Sequence, residues 1–553
     1  MTQWTQNYQA VGGSLGLTAL VATLPVIFLF WALAVKRMKG HIAGIGTLLV
    51  AILVAIIAYK MPVGLALSST LYGALQGIFP IGWIVITAVF LYNLVVEAGQ
   101  FEVIKYSISS LTDDRRLQAL LIAFCFGAFL EGAAGFGTPV AISGAILIGL
   151  GFSPLYAAGL CLIANTAPVA FGGIGIPIIT AGQVTGIDPM LISQAVGRQL
   201  PLISLVIPLY LVIIMAGWKG AKEVFPAIAV TGITFAGLQW FSANYLSPML
   251  PDIISSLGSM IALAVFLKFW KPKNIWRFEG EKEAVKSNVN YTGGQILKAW
   301  TPFAVLTAMV GIWGTTSFKD YIGKTLKWFV NFNWPGLYTD AGKPIIYKAA
   351  PIVAKPAAYA AQYKWDFFAA AGTAILITAI ISAVILKVSP AKFFNVFGKT
   401  FKQLLFPLTN IAAVLGFAYL ANYSGLSYTL GLAFAATGAA FPFLSPFLGW
   451  MAVFLTGSDT SANALFGKLQ QVTAQQIGVN PVLTVAANSS GGVCGKMISP
   501  QSIAVATAAV GLVGKESDLF RFTLKHSLLF VVIVGVMTYL QAYVVPWMIP
   551  VLK

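Results

Sequence analysis

The sequence predicts an all-α polytopic membrane protein of about twelve transmembrane helices plus two re-entrant hairpins, arranged as two inverted repeats. Three observations carry that prediction. Of 553 residues, 58% are hydrophobic and 9% charged, against roughly 25% charged in a soluble domain; that is too little charge to cover a water-facing surface. Apolar runs of about twenty residues, enough to cross ~30 Å of hydrocarbon as a helix, recur from end to end. Two further apolar stretches are interrupted at their middles by glycine and polar residues, at corresponding places in the two halves.

The first run, Leu15 to Val35, has an uncharged tail before it and Lys36, Arg37 and Lys39 after it, the reverse of a secretory signal. The excess of bases on cytoplasmic loops then places the N-terminus outside and residues 36 to 40 inside. Further spans are expected at 41–59, 80–97, 154–185, 190–216, 223–245, 252–270, 299–316, 366–388, 403–421, 482–511 and 524–549, which leaves the C-terminus outside as well. Lys105, Arg115, Arg116, Lys219, Lys268, Arg277, Lys399 and Arg521 all fall on the predicted inside. The exception is segment 317–365, with seven lysines on the predicted outside; long loops obey the rule weakly. The balance of 34 Lys+Arg against 17 Asp+Glu is therefore a topology signal, and the expected surroundings are membrane lipids, with no nucleic-acid partner. Cys125, Cys161 and Cys494 are scattered and the histidines are two, His41 and His526, so disulfides, a metal centre and a cofactor are not expected. No nucleophile–base pair stands out, and an enzyme is disfavoured.

The halves echo each other. Phe129-Leu130-Glu131-Gly132 corresponds to Phe454-Leu455-Thr456-Gly457, and Ala164-Asn165-Thr166 to Ala487-Asn488-Ser489. Glycines (Gly172, Gly495) follow each Asn by seven residues, and prolines (Pro177, Pro500) by twelve. Pro62 to Pro80 and Pro390 to Pro407 are proline-bounded segments that read as surface helices; a short span is the other reading of the first. The domain plan is a first repeat over 1–222 (hairpin 117–150, broken helix 154–185) and linking spans with a cytoplasmic loop over 223–298. A second repeat follows over 299–553 (hairpin 444–470, broken helix 482–511). By the span count the first hairpin opens from the cytoplasm and the second from outside. Inverted repeats with discontinuous helices are the build of secondary transporters, whose site lies at the repeat interface near the midplane.

Broken helices explain why such a place binds. The breaks at Glu131 to Pro139, Asn165 to Pro177, Thr456 to Asn463 and Asn488 to Pro500 leave backbone groups that only protein or a watery cavity can satisfy. Free N–H groups at a restarting helix favour an anion. Any single glycine there has a packing reading, but clustering in both halves favours a site. Glu131, Asp459 and Lys496 are ionisable groups inside these breaks, functional candidates by default. Lys496 has two readings, as partner of an anionic substrate or as a salt bridge to Asp459 or Glu131. Burial favours the neutral form of a carboxyl, so Glu131 or Asp459 is the candidate carrier of a coupling proton. The candidate substrate site adds Asn165, Thr166, Asn488, Ser489 and Ser490, with Gly132, Ser458 and Thr460 at the hairpin tips. Arg198, His41 and His526 read as packing or interfacial residues. A channel would need polar faces along a whole pore, whereas these residues concentrate at four breaks.

At these residues the chain resembles the bacterial L-lactate permease family, with its glycolate permease relatives, over essentially its whole length. The carrying motifs are FCFGAFLEGAAGFGTPVAI from Phe124, PLYAAGLCLIANTAPVAFGGIGIPI from Pro154, AGQVTGID from Ala181, SPFLGWMAVFLTGSDTSANALF from Ser445 and GKMISPQSIAVATAAVGLVGKESDLFRFTLKHS from Gly495. The resemblance implies uptake of L-lactate, and of D-lactate and glycolate, across the bacterial inner membrane with H+ as the coupling ion; a homodimer is compatible with it. The family is grouped with ion transporters that carry paired hairpins and Asn-Thr motifs and move a transport domain as an elevator, and Asn165-Thr166 and Asn488-Ser489 resemble those signatures. Where a serine commonly precedes the Asn, this chain has Ala164 and Ala487, which fits protons better than sodium. A sodium-coupled carboxylate symporter and an anion channel are the alternatives.

Overall fold

Apolar length decides the architecture. In a computed structural model that describes residues 3–135, 137–278 and 290–552, eleven helices are long and apolar enough to cross a membrane. They become twelve when Pro154–Ala164 and Val169–Thr185, bent by 63°, count as one span. Part of the loop expected within 223–298 lies outside the described residues. Leu20, Ile57 and Ile233 are among the large apolar side chains left exposed along these helices, as a lipid-facing surface requires.

Leu15–Val35, Gly40–Ile57 and Val63–Glu97 lead to a first hairpin, Arg115–Ala133 turning back as Thr138–Gly149. The bent pair, Leu200–Glu223, Phe225–Tyr245 and Pro251–Phe269 follow, then Gly293–Gly314. After segment 317–365 come Ala371–Ile385 and Pro390–Ser424, then Leu426–Phe434 and, past a kink at Gly438, Phe441–Thr456 turning into Asp459–Gln476 as the second hairpin. Pro481–Lys496, Pro500–Val510 and Glu516–Tyr543 complete the chain.

Four expectations change. Neither proline-bounded segment is a separate surface helix: the first forms Val63–Gln76, which leads through a kink with non-helical backbone at Phe79 into Trp83–Glu97, and the second opens the 35-residue helix Pro390–Ser424. These two pack closely, since a Cβ on Gly73 would lie 2.5 Å from the Leu415 carbonyl and one on Gly77 3.1 Å from that of Ile411. The basic face of the second is its exposed first part, with Lys392, Lys399 and Lys402. The span expected at 190–216 becomes a short helix, Pro189–Val196, capped by Asp188, and a span starting at Leu200. The span expected at 366–388 shortens to Ala371–Ile385. In the second broken helix the gap is confined to Met497–Ser499, and Asn488 to Ser490 lie within an intact helix. Its glycines serve contact: a Cβ on Gly491 or Gly495 would strike the carbonyl of Pro446 or Trp450. In the first broken helix the interruption does begin at Asn165 and includes three left-handed residues, Gly173, Ile174 and Gly175 (φ 54°, 61° and 73°).

Segment 317–365 folds as a small cap. Val330–Asn333 pairs antiparallel with Gln362–Trp365, and Ile346–Lys348 pairs with Ala357–Ala358 and, in parallel, with Trp4–Thr5. The pairing puts this segment on the side of the N-terminus, where the alternating count of spans expects it. Tyr72 inserts among Trp334, Tyr363, Tyr419 and Tyr423 beneath it.

Candidate functional site

Both hairpin tips and both interrupted helices converge on one cavity of about 1070 Å³. Its inner wall carries Glu131, Ser458, Asp459, Thr460 and Lys496, and its mouth Arg37, Lys39, His41, Glu516 and Arg521.

Glu131 stands in the last turn of the inbound arm of the first hairpin, 3% exposed. Its Oε1 accepts a hydrogen bond from Lys496 Nζ at 2.7 Å, and its Oε2 accepts one from Asn165 Nδ2 at 3.0 Å. The carboxylate lies against Gly172, where a Cβ would come within 2.5 Å of Oε1; the absence of a side chain there gives Glu131 its place. Lys496 ends the helix Pro481–Lys496, whose negative pole contributes about 0.3–1 kcal/mol to a cation. Removing one partner from a buried pair costs ~3–5 kcal/mol, so Glu131, more than the helix pole, holds Lys496. Of the two sequence readings of Lys496, the geometry contains the ion pair with Glu131, on the wall of the cavity.

Asp459 opens the returning arm of the second hairpin, in a first turn whose positive pole suits a carboxylate. Gly457, at φ 69°, makes the turn that residues with a Cβ adopt rarely, and Ser458 caps the helix through Ser461 N at 3.2 Å. Ser489 Oγ donates to Asp459 Oδ2, as does Asn463 Nδ2 at 3.4 Å. Asn463 Nδ2 also faces the Pro177 carbonyl at 3.2 Å, so this side chain ties the second hairpin to the first broken helix. Asp459 Oδ1, Asn165 Oδ1 and Thr166 Oγ1 are buried without a hydrogen-bond partner among the described residues; of the three residues Asp459 lines the cavity, and Asn165 and Thr166 stand behind its wall.

The family model described as L-lactate permease matches residues 18–545. The chain belongs to that family. It is 57% identical to the L-lactate permease of Bacillus subtilis over 99% of this chain and 100% of that protein. To the glycolate permease GlcA of Escherichia coli it is 55% identical, over 98% of this chain and 99% of the other. Among solved structures, MtrF of Neisseria gonorrhoeae aligns at 13% identity and a TM-score of 0.48, over 91% of this chain and 95% of that one. This member of the permease family is a multi-pass membrane transporter and not an enzyme.

Of the other residues singled out in the sequence, His41 is at the mouth and the rest stand behind the cavity wall of this permease. Asn488 spends its amide on Ala462 O (3.2 Å), Asn463 Oδ1 (2.9 Å) and Gln470 Nε2 (3.1 Å). Ser490 donates to Gln199 Oε1 at 2.7 Å, turned away from the cavity. Gly132 packs on Asp252, whose Cβ would lie 2.6 Å from a Cβ added there. Arg198 bridges Asn244 Oδ1 (2.9 Å) and Met548 O (2.6 Å), a packing role. His526 is buried beside Tyr210 (2.6 Å), within the helix Glu516–Tyr543, which begins before the expected span. His41 stacks on Phe406 with ring centroids 4.5 Å apart. Three contributors were given no role at the site from sequence: Gly172, read as a repeat-equivalent glycine, Asn463, read as the end of a break, and Asp252. Asn463 had a readable signal, one helical turn after Asp459.

Proposed function

We propose that this permease takes up L-lactate, with D-lactate and glycolate as further substrates, across the bacterial inner membrane by proton symport. The relatives named for lactate and glycolate at 57% and 55% identity support the substrate class. One observation supports the coupling: the cation at the inner wall of the cavity, Lys496, is already taken by Glu131 at 2.7 Å. A substrate carboxylate that seeks Lys496 must displace Glu131. Ionised Glu131 would then be left buried beside a second anion, a costly arrangement. A proton on Glu131 removes that conflict, because it neutralises the carboxyl and frees Lys496 at once. Anion and proton therefore load together, and the loaded site has the same net charge as the empty one. Substrate would lie between the hairpin tips with its carboxylate on Lys496 and its 2-hydroxyl near Ser458 or Thr460, with Asn165 and Thr166 behind the wall, where Asn165 supports Glu131. Asp459 is the second candidate carrier. A cavity of about 1070 Å³ is far larger than lactate, so selectivity belongs to this inner wall.

The rim residues Arg37, Lys39 and Arg521 lie on loops assigned to the cytoplasm by their charge, which makes this the inward-open state, with both termini periplasmic. The hairpins and broken helices would move together against the paired helices Val63–Glu97 and Pro390–Ser424, as inverted repeats in an elevator. Labelled L-lactate uptake into proteoliposomes, under separately imposed pH and sodium gradients, tests the coupling. The expected result is accumulation driven by external acid and abolished by a protonophore. Accumulation that follows sodium at constant pH would sink the proton reading, and failure to accumulate against a gradient would point to a channel.

A further inference from the structure

Asp252 is the buried acid that the scheme above leaves unused. It is the second residue of the helix Pro251–Phe269 and 1% exposed. Neither of its carboxyl oxygens has a hydrogen-bond partner among the described residues. It is not on the cavity wall; it sits directly behind Gly132, the residue after Glu131, and the charged groups that act on it are Glu131 and Lys496. An ionised carboxylate that is buried, unsolvated and unpaired costs far more than a neutral acid in the same place, and the adjacent Glu131, ionised in its pair with Lys496, adds like-charge repulsion.

Among the described residues the surroundings supply no other counter-charge. Arg115–Ala133 contributes Glu131; its arginines are at its opposite end, where Arg116 binds Asp114 and Glu223, and its Cys125 meets Ser259 lower down at 3.3 Å. Phe225–Tyr245 has no charged residue, and its one titratable group, Tyr245, is exposed at the end. Gly293–Gly314 carries Lys298 at its exposed start, and the chain before Asp252 is apolar, with Pro248 and Met249 against Gly175.

We infer that Asp252 is a second proton-binding site of this permease, protonated in the state described and exchanging that proton with Glu131. In the exchange the O–H bond of the Asp252 carboxyl breaks as that of the Glu131 carboxyl forms, and the single negative charge of the pair passes from Glu131 to Asp252, the other acid on which Lys496 acts. The empty site holds one proton on two acids, and the loaded site holds two. This rests on the proton-symport reading.

Infrared difference spectroscopy of the purified permease reads the proton directly. The expected result is a protonated-carboxyl C=O band in the wild type that Asp252→Asn removes, that Asp252→Glu moves and that Glu131→Gln leaves in place. In proteoliposomes, Asp252→Asn is expected to keep lactate/lactate exchange while net accumulation under a pH gradient falls to equilibrium. Asp252→Glu keeps part of that accumulation. A band indifferent to both substitutions overturns the inference, as does wild-type accumulation by Asp252→Asn. Loss of exchange and accumulation together, in a variant with normal thermal unfolding, also overturns it. Should Asp252→Asn not fold, the band position in Asp252→Glu decides. A pH-sensitive dye inside wild-type vesicles keeps the two readings apart: lactate influx without proton entry refutes symport, whatever the infrared band shows.

Discussion

Lys496 is held in place mainly by the cost of leaving it alone. With Glu131 as its ion-pair partner at 2.7 Å, Glu131→Gln strands a buried ammonium, and the substrate-free permease should lose ~3–5 kcal/mol. Lactate then becomes the missing anion. Thermal unfolding in detergent is expected to show a lower midpoint for Glu131→Gln without lactate, and a larger rise on adding lactate than the wild type gives. Lys496→Gln should be destabilised alike and gain nothing from lactate, and the double substitution should be more stable than the sum of the singles, because the two groups act as one unit. Additive effects would mean that the pair is incidental. Glu131, Asp459 and Lys496 could be picked from sequence because charge is rare inside apolar runs. Asp252 could not, since an acid directly after Pro251 at the start of an apolar run looks like an interfacial helix start. Its Cβ packs on Gly132, a residue far away along the chain, and no local pattern records that meeting.

The hairpins were legible because Gly, Pro and polar residues fall in the middle of runs otherwise long enough to span. What local pattern cannot tell is whether a glycine breaks a helix or lets two helices touch. Gly491 and Gly495 read as part of a break, yet they sit in an intact helix against the inbound arm of the second hairpin. Likewise Pro390 to Pro407 looked like a separate amphipathic helix, because its basic end and the later apolar half are one continuous element with two environments. The two roles of glycine can be separated. Gly491→Ala drives a Cβ into the Pro446 carbonyl, whereas a Cβ at Gly398, in the exposed end of Pro390–Ser424, meets nothing within 4 Å. Gly491→Ala should lose about 1–3 kcal/mol through overpacking, and Gly398→Ala should gain up to ~1 kcal/mol from helix propensity. Folded yield and thermal unfolding of the two variants measure this; equal behaviour would show that the seam tolerates a methyl group and that the glycines answer to something else.

At the scale of the whole molecule, the bases that set the topology and those around the cavity are partly the same residues. Arg37, Lys39 and Arg521 rim the opening, and Glu516 is the acid among the lining residues there, so an anion leaving or entering meets a positive field. If those loops are cytoplasmic, a reagent confined to the cytoplasmic side reaches the inner wall in this state and one confined outside does not. Thr460 is partly exposed on that wall, beside Asp459, while Cys125, Cys161 and Cys494 are all buried, so the native thiols contribute little background. A Thr460→Cys permease should therefore be modified rapidly by a membrane-impermeant maleimide in inside-out vesicles and slowly in right-side-out cells. Lactate should slow the inside reaction, because it fills the space between Thr460 and Lys496. Faster labelling from outside would invert the orientation and with it the assignment of both termini, since the cap that binds Trp4 and Thr5 lies on the side opposite the cavity mouth. Equal labelling from both sides would mean a continuous pore, the property that separates a channel from a carrier that exposes its site to one side at a time.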